Sequence, residues 1–60
     1  MTKAEKFFKV YANLPLPLRS EIIVVVDDEP ITWRVAHLEI SNKTKLGETI
    51  LEKLEALKII

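Results

Sequence analysis

Ile22-Ile23-Val24-Val25-Val26 constrains this chain more than any other stretch. All five side chains are β-branched, stiff at χ1 and suited to a pleated surface, and none follows a helical spacing. The run predicts a strand. Side chains alternate across a strand, so Ile22, Val24 and Val26 would take one face and Ile23 and Val25 the other. A strand apolar on both faces needs cover on both. A short chain has little to spare for that purpose, and a second copy would supply it.

The next residues complete a hairpin. Asp27-Asp28 suits a two-residue turn, because Asp tolerates left-handed backbone angles better than most residues. Pro30 cannot donate to a ladder, so the second strand should be short and at an edge. Thr32 then reads as an N-cap, with Ile31 before it and Ala36 at the fourth helical position forming a small hydrophobic staple. A competing pattern exists: Ile31, Trp33 and Val35 alternate with Thr32 and Arg34, as in a longer strand. Ala36, Leu38 and Ile40 break that register, which favours a strand to about Thr32 followed by a helix.

Sixty residues make one domain, 1–60, and a chain this short buries only about 60% of its unfolded surface. Such domains are usually stapled by disulfides, metals or oligomerisation. The chain has no Cys and one His, which leaves oligomerisation or a partner as the expected supplement, with unusually regular packing in a monomer as the alternative. Its formal net charge is zero, so no global field draws it to nucleic acid or to an anionic membrane. No apolar run approaches a membrane span. The N-terminus carries Lys3, Lys6 and Lys9 without the apolar core of a secretory signal. With no Cys, a cytoplasmic protein is expected, and the initiator Met and compact finish suggest a complete small one.

Three helical patterns surround the hairpin. From Thr2 to about Asn13, Thr2 and Glu5 have capping-box spacing, and Ala4, Phe7, Phe8 and Tyr11 share one apolar face. Glu5 and Lys9 are spaced for a helix-supporting ion pair. The aromatic face is read as core, with a partner or membrane-surface face as the alternative. Leu14-Pro15-Leu16-Pro17-Leu18 ends this helix. It should run extended or make a short turn, its leucines anchoring it to the core, and it lacks the PxxP spacing of a proline-rich ligand. Trp33 to about Ser41 forms the second helix, with Trp33, Ala36, His37 and Ile40 on one face. After the break Ser41-Asn42-Lys43, Thr44 can cap a third helix from Lys45 to about Lys58. Leu46, Ile50, Leu51, Leu54 and Leu57 form its apolar stripe, and Gly47 in its first turn would permit a close approach to the hairpin. Ile59-Ile60 at the terminus should dock on the core or on a partner.

Little in the sequence points to chemistry. Asp27, Asp28 and Glu29 are oxygen ligands of the type hard cations favour, but they lack the alternate spacing and Gly of a calcium loop and read better as a solvated turn. Their charge would also discourage edge-to-edge strand pairing. His37 has Ser41 on its face, while Glu39 points elsewhere, and no oxyanion loop or phosphate-cradling Gly loop accompanies them. The chain is therefore expected not to be an enzyme, and to need no cofactor, metal or small-molecule substrate.

The expected fold is α+β, a small single domain of order α-β-β-α-α with a two-stranded antiparallel hairpin packed by helices. The expected function is a protein-interaction module that self-associates as a homodimer, or else binds another protein, through Ile23, Val25, Trp33, Leu54, Leu57 and Ile60. The alternative is a DNA-binding or regulatory adaptor using the last two helices as a helix-turn-helix, with Lys43 and Lys45 at the reading end. Against it stand Glu48, Glu52 and Glu55 on the same helix and the absence of Arg, Asn or Gln there. The basic ridge Lys3, Lys6 and Lys9 and the acidic ridge Glu48, Glu52 and Glu55 could meet within one chain or across an interface. As exposed pairs they would set orientation more than affinity.

Overall fold

The computed structural model describes residues 1–60. Helix α1 (Lys3–Ala12) leads through a 3-10 helix (Leu16–Ser20) to strands β1 (Ile22–Val26) and β2 (Glu29–Thr32), then to helices α2 (Trp33–Ser41) and α3 (Lys45–Ala56). This is the α-β-β-α-α order, with one antiparallel sheet of two strands.

The hairpin closes on Asp27 and Asp28, at φ 50° and 66°. Two central residues with positive φ match the right-handed twist of the flanking strands. Val26 pairs with Glu29, Val25 with Pro30 and Val24 with Ile31, but Ile22 pairs with Thr32, which leaves Ile23 as an extra residue in a β-bulge. The bulge changes which side chains reach the core. Val24 and Val26 are buried and Ile23 is half-buried, whereas Ile22 is 59% exposed. Simple alternation would place Ile22 inside with Val24; the extra residue turns it out and brings Ile23 partly in.

All three α-helices begin on threonine caps. Thr2 Oγ1 accepts from the Glu5 N–H at 3.1 Å, and the Glu5 carboxylate accepts in return from the Thr2 N–H at 2.8 Å. Glu5 is thereby held by Thr2, and no ion pair forms between it and Lys9. Thr32 accepts from the Val35 N–H at 3.2 Å, so the second strand stops there and the longer-strand alternative fails at Trp33. Thr44 accepts from the Gly47 N–H at 3.0 Å and donates to the Glu39 carboxylate at 2.7 Å. Gly47 does permit a close approach, but to α2 and not to the hairpin: a Cβ on it would lie 2.6 Å from the Glu39 carbonyl oxygen.

The helices form a layer against one face of the hairpin, α3 beside β1 and α2 beside β2. The core between the layers is Phe7, Val24, Val26, Ile31, Ala36, Ile40, Ile50 and Leu54. Phe7 stacks on Tyr11 and on Trp33 with ring centroids 5.9 Å apart in each case, so the aromatic face of α1 is core. The proline segment departs from expectation. Pro15 precedes a 3-10 helix in which Pro17 occupies the first turn, where its missing N–H costs nothing. Leu16 and Leu18 point outward, the former 67% exposed, and do not anchor the segment. Arg19 does so instead: its guanidinium lies 4.3 Å from the Tyr11 ring centroid and donates to the Tyr11 carbonyl at 3.1 Å.

Candidate interaction surface

The face of the hairpin away from the helices is uncovered. Val25 is 52% exposed, Ile22 and Pro30 are exposed beside it, and Leu57 just past α3 is 61% exposed. Between β1 and the end of α3 lies a shallow groove of about 320 Å³ lined by Val24, Val25, Lys53, Ala56 and Leu57. Four of these five are apolar, and Lys53 is the one charged residue among them.

The groove runs along a strand edge. In a two-residue hairpin the residues flanking the turn, here Val26 and Glu29, form the first hydrogen-bonded pair. The next pair, Val25 and Pro30, is then of the other kind and directs its backbone groups away from the partner strand. Pro30 has no N–H, so nothing is lost to the ladder at that position. Val25 keeps both groups on the outer edge of β1. Its carbonyl accepts from Lys53 Nζ at 3.4 Å, an exposed contact at the limit of hydrogen bonding.

The six residues expected at an interface separate into distinct environments. Val25 and Leu57 are exposed and line the groove together. Leu54 is 0% exposed, part of the core, and cannot be a contact surface on the folded chain. Ile23, Trp33 and Ile60 are half-buried and pack against the core; Ile60 thus docks on its own chain. Sequence reasoning missed Ile22 and Lys53. Ile22 was hidden by the bulge, and Lys53 could have been found from its place two turns after the α3 stripe residue Leu46, on a flank that faces β1.

The charged ridges meet within one chain at a single point. Glu55 pairs with Lys3 at 3.5 Å and with Lys6 at 3.8 Å, joining α3 to α1. Lys9, Glu48 and Glu52 remain outside ion pairs and exposed. Lys43, at φ 54°, ends α2 in a left-handed conformation, and Lys45 opens α3; both are exposed at the junction of the two helices. His37 is packed among rings, 4.3 Å from Tyr11 and 5.6 Å from Phe8 by centroid, with no hydrogen bond to Ser41. No three His, Asp or Glu side chains come together as a metal site would require, and no helix is long and apolar enough to cross a membrane.

Comparison with protein-family models, with curated proteins and with solved structures finds no match to this chain.

Proposed function

We propose that the protein is a non-enzymatic interaction module that associates with a second copy of itself. The observation that carries this reading is the uncovered apolar side of β1, with Val25 and Leu57 more than half exposed along one groove and Ile22 more than half exposed further along the strand. Isolated two-stranded hairpins are marginal in water, and sheets gain stability from further strands. The helices cover one face of this hairpin, and a core of eight residues leaves none to cover the other. A standard interface takes about 800 Å² from each partner, roughly a fifth of the 4183 Å² accessible surface, so the contact must spread beyond the groove to include Ile22.

The nucleic-acid reading has less support. Lys43 and Lys45 are exposed, but Glu48 and Glu52 are exposed on the same helix and would face phosphates.

Light scattering across a concentration series tests the proposal. The expected molar mass at high concentration is twice the 6.9 kDa of the chain. Val25→Asp and Leu57→Asp, each placing a charge in the contact, should return it to the monomer value. A constant monomer mass for the unaltered chain would refute self-association, and a titration with duplex DNA would then be the next measurement.

A further inference from the structure

We infer that two copies join through the free edge of β1, pairing this strand antiparallel about a two-fold axis at Val25 to make a four-stranded sheet of order β2-β1-β1-β2. The inference rests on the self-association reading above and gives it a geometry.

The two edges of the hairpin are not equivalent. At the outward position of β2 stands Pro30, which cannot donate, next to the exposed carboxylate of Glu29. Proline and charge on an edge are common devices against strand addition. The outward position of β1 is Val25, with its N–H and C=O both directed to the edge. Its only cover is the Lys53 ammonium, 3.4 Å from the carbonyl and exposed, a contact that an incoming N–H can displace at little cost. One open edge and one blocked edge favour a closed pair, because a second addition has nowhere to form.

The position of the axis is set by the shape of the strand. The bulge between Ile22 and Val24 disturbs one end of β1, and the Asp27-Asp28 turn closes the other. The regular stretch is Val24 to Val26, and its centre is Val25. Antiparallel pairing there lets each Val25 exchange two hydrogen bonds with the partner's Val25. The two exposed Val25 side chains then lie side by side on the face away from the helices, and the incoming strand lies along the groove beside Leu57.

Charge is arranged to suit this axis. Asp27 and Asp28 at the hairpin tip are exposed and outside any ion pair, and Lys53 at the groove has no carboxylate partner. A two-fold at Val25 sets the partner's Asp27 opposite Ile23, two residues or about 7 Å along the strand from Val25. In this geometry Lys53, once displaced from the Val25 carbonyl, turns to pair with that carboxylate. An extended segment of a foreign protein could use the same edge but would not supply this reciprocal pair.

Two substitutions at one residue test the geometry. Val25→Pro removes the outward N–H and leaves the β1–β2 ladder whole, as Pro30 does on the opposite strand. It should yield a monomer by light scattering with an unchanged far-ultraviolet circular dichroism spectrum. Val25→Cys places two thiols on Cα atoms about 5.5 Å apart in the pair, inside the disulfide range of about 4.4–6.8 Å. The chain has no other Cys, so oxidation should give a covalent dimer far faster than in Val35→Cys, an exposed control on α2. If Val25→Pro fails to fold, the cross-linking rates decide. A dimer that survives Val25→Pro, or that cross-links Val25→Cys no faster than Val35→Cys, overturns this geometry and leaves self-association standing. A monomeric unaltered chain at every concentration overturns both.

Discussion

Two positions show how much a single residue sets. Gly47 lies where α3 crosses the end of α2, and any Cβ there would meet the Glu39 carbonyl oxygen at 2.6 Å. Alanine is the better helix former by about 1 kcal/mol, yet the neighbour is backbone and cannot rotate away. Gly47→Ala is expected to push the helices apart and destabilise by about 1–3 kcal/mol, the usual range for overpacking, read as a lower urea midpoint at unchanged slope. The opposite sign is expected at the turn. Asp27 and Asp28 both adopt left-handed angles, which cost an ordinary L-residue about 1–2 kcal/mol. The double substitution Asp27→Asn with Asp28→Gly, the favoured pair for such turns, should raise the same midpoint. The turn was legible in the sequence because the demand is local. The role of Gly47 was legible only in kind, because which backbone would approach it depends on the crossing of two helices.

At the scale of the element, local signals were legible and tertiary ones were not. Thr2, Thr32 and Thr44 cap their helices as spacing predicts, since a cap and the N–H that donates to it lie three residues apart. The bulge at Ile23, the outward leucines of the 3-10 helix and the early end of α3 carry no comparable mark. In α3 the stripe predicts helix to about Lys58, but Lys58 turns left-handed at φ 60° and the Ile59 N–H bonds back to the Leu54 carbonyl at 2.9 Å, a helix stop that glycine normally signals. The cap of α1 also gives a pH dependence. The Thr2 backbone N–H, and then its side chain, hold the Glu5 carboxyl below its ordinary 4.5. A depressed folded-state pKa contributes stability that is fully present above the unfolded value and is lost as pH falls through the folded one. The gap in thermal midpoint between the unaltered chain and Glu5→Gln should therefore be constant near neutrality and close on acidification through the carboxylate range. The other carboxylates are common to both chains and cancel.

For the whole molecule, the question is which apolar residues hold the chain together and which hold copies together. Leu54 and Leu57 belong to one stripe in the sequence, and periodicity gives no reason to separate them. The structure does: Leu54 is fully buried and Leu57 is 61% exposed beside the β1 edge. Leu54→Ala should cost about 2–5 kcal/mol, as buried leucines do. That is about half of the roughly 3–9 kcal/mol total expected at about 0.05–0.15 kcal/mol per residue, so this variant should melt well below the unaltered chain when the two are compared at equal protein concentration. Leu57→Ala should leave the monomer within about 0.5 kcal/mol, the usual limit for exposed positions. Its effect should appear in how stability depends on concentration. Association stabilises the folded state by mass action, so the thermal midpoint of a dimer rises with protein concentration. Measured at two concentrations a hundredfold apart, the unaltered chain should show that rise and Leu57→Ala should lose it. A midpoint lowered equally at both concentrations would instead assign Leu57 to the stability of the single chain and take it out of the contact.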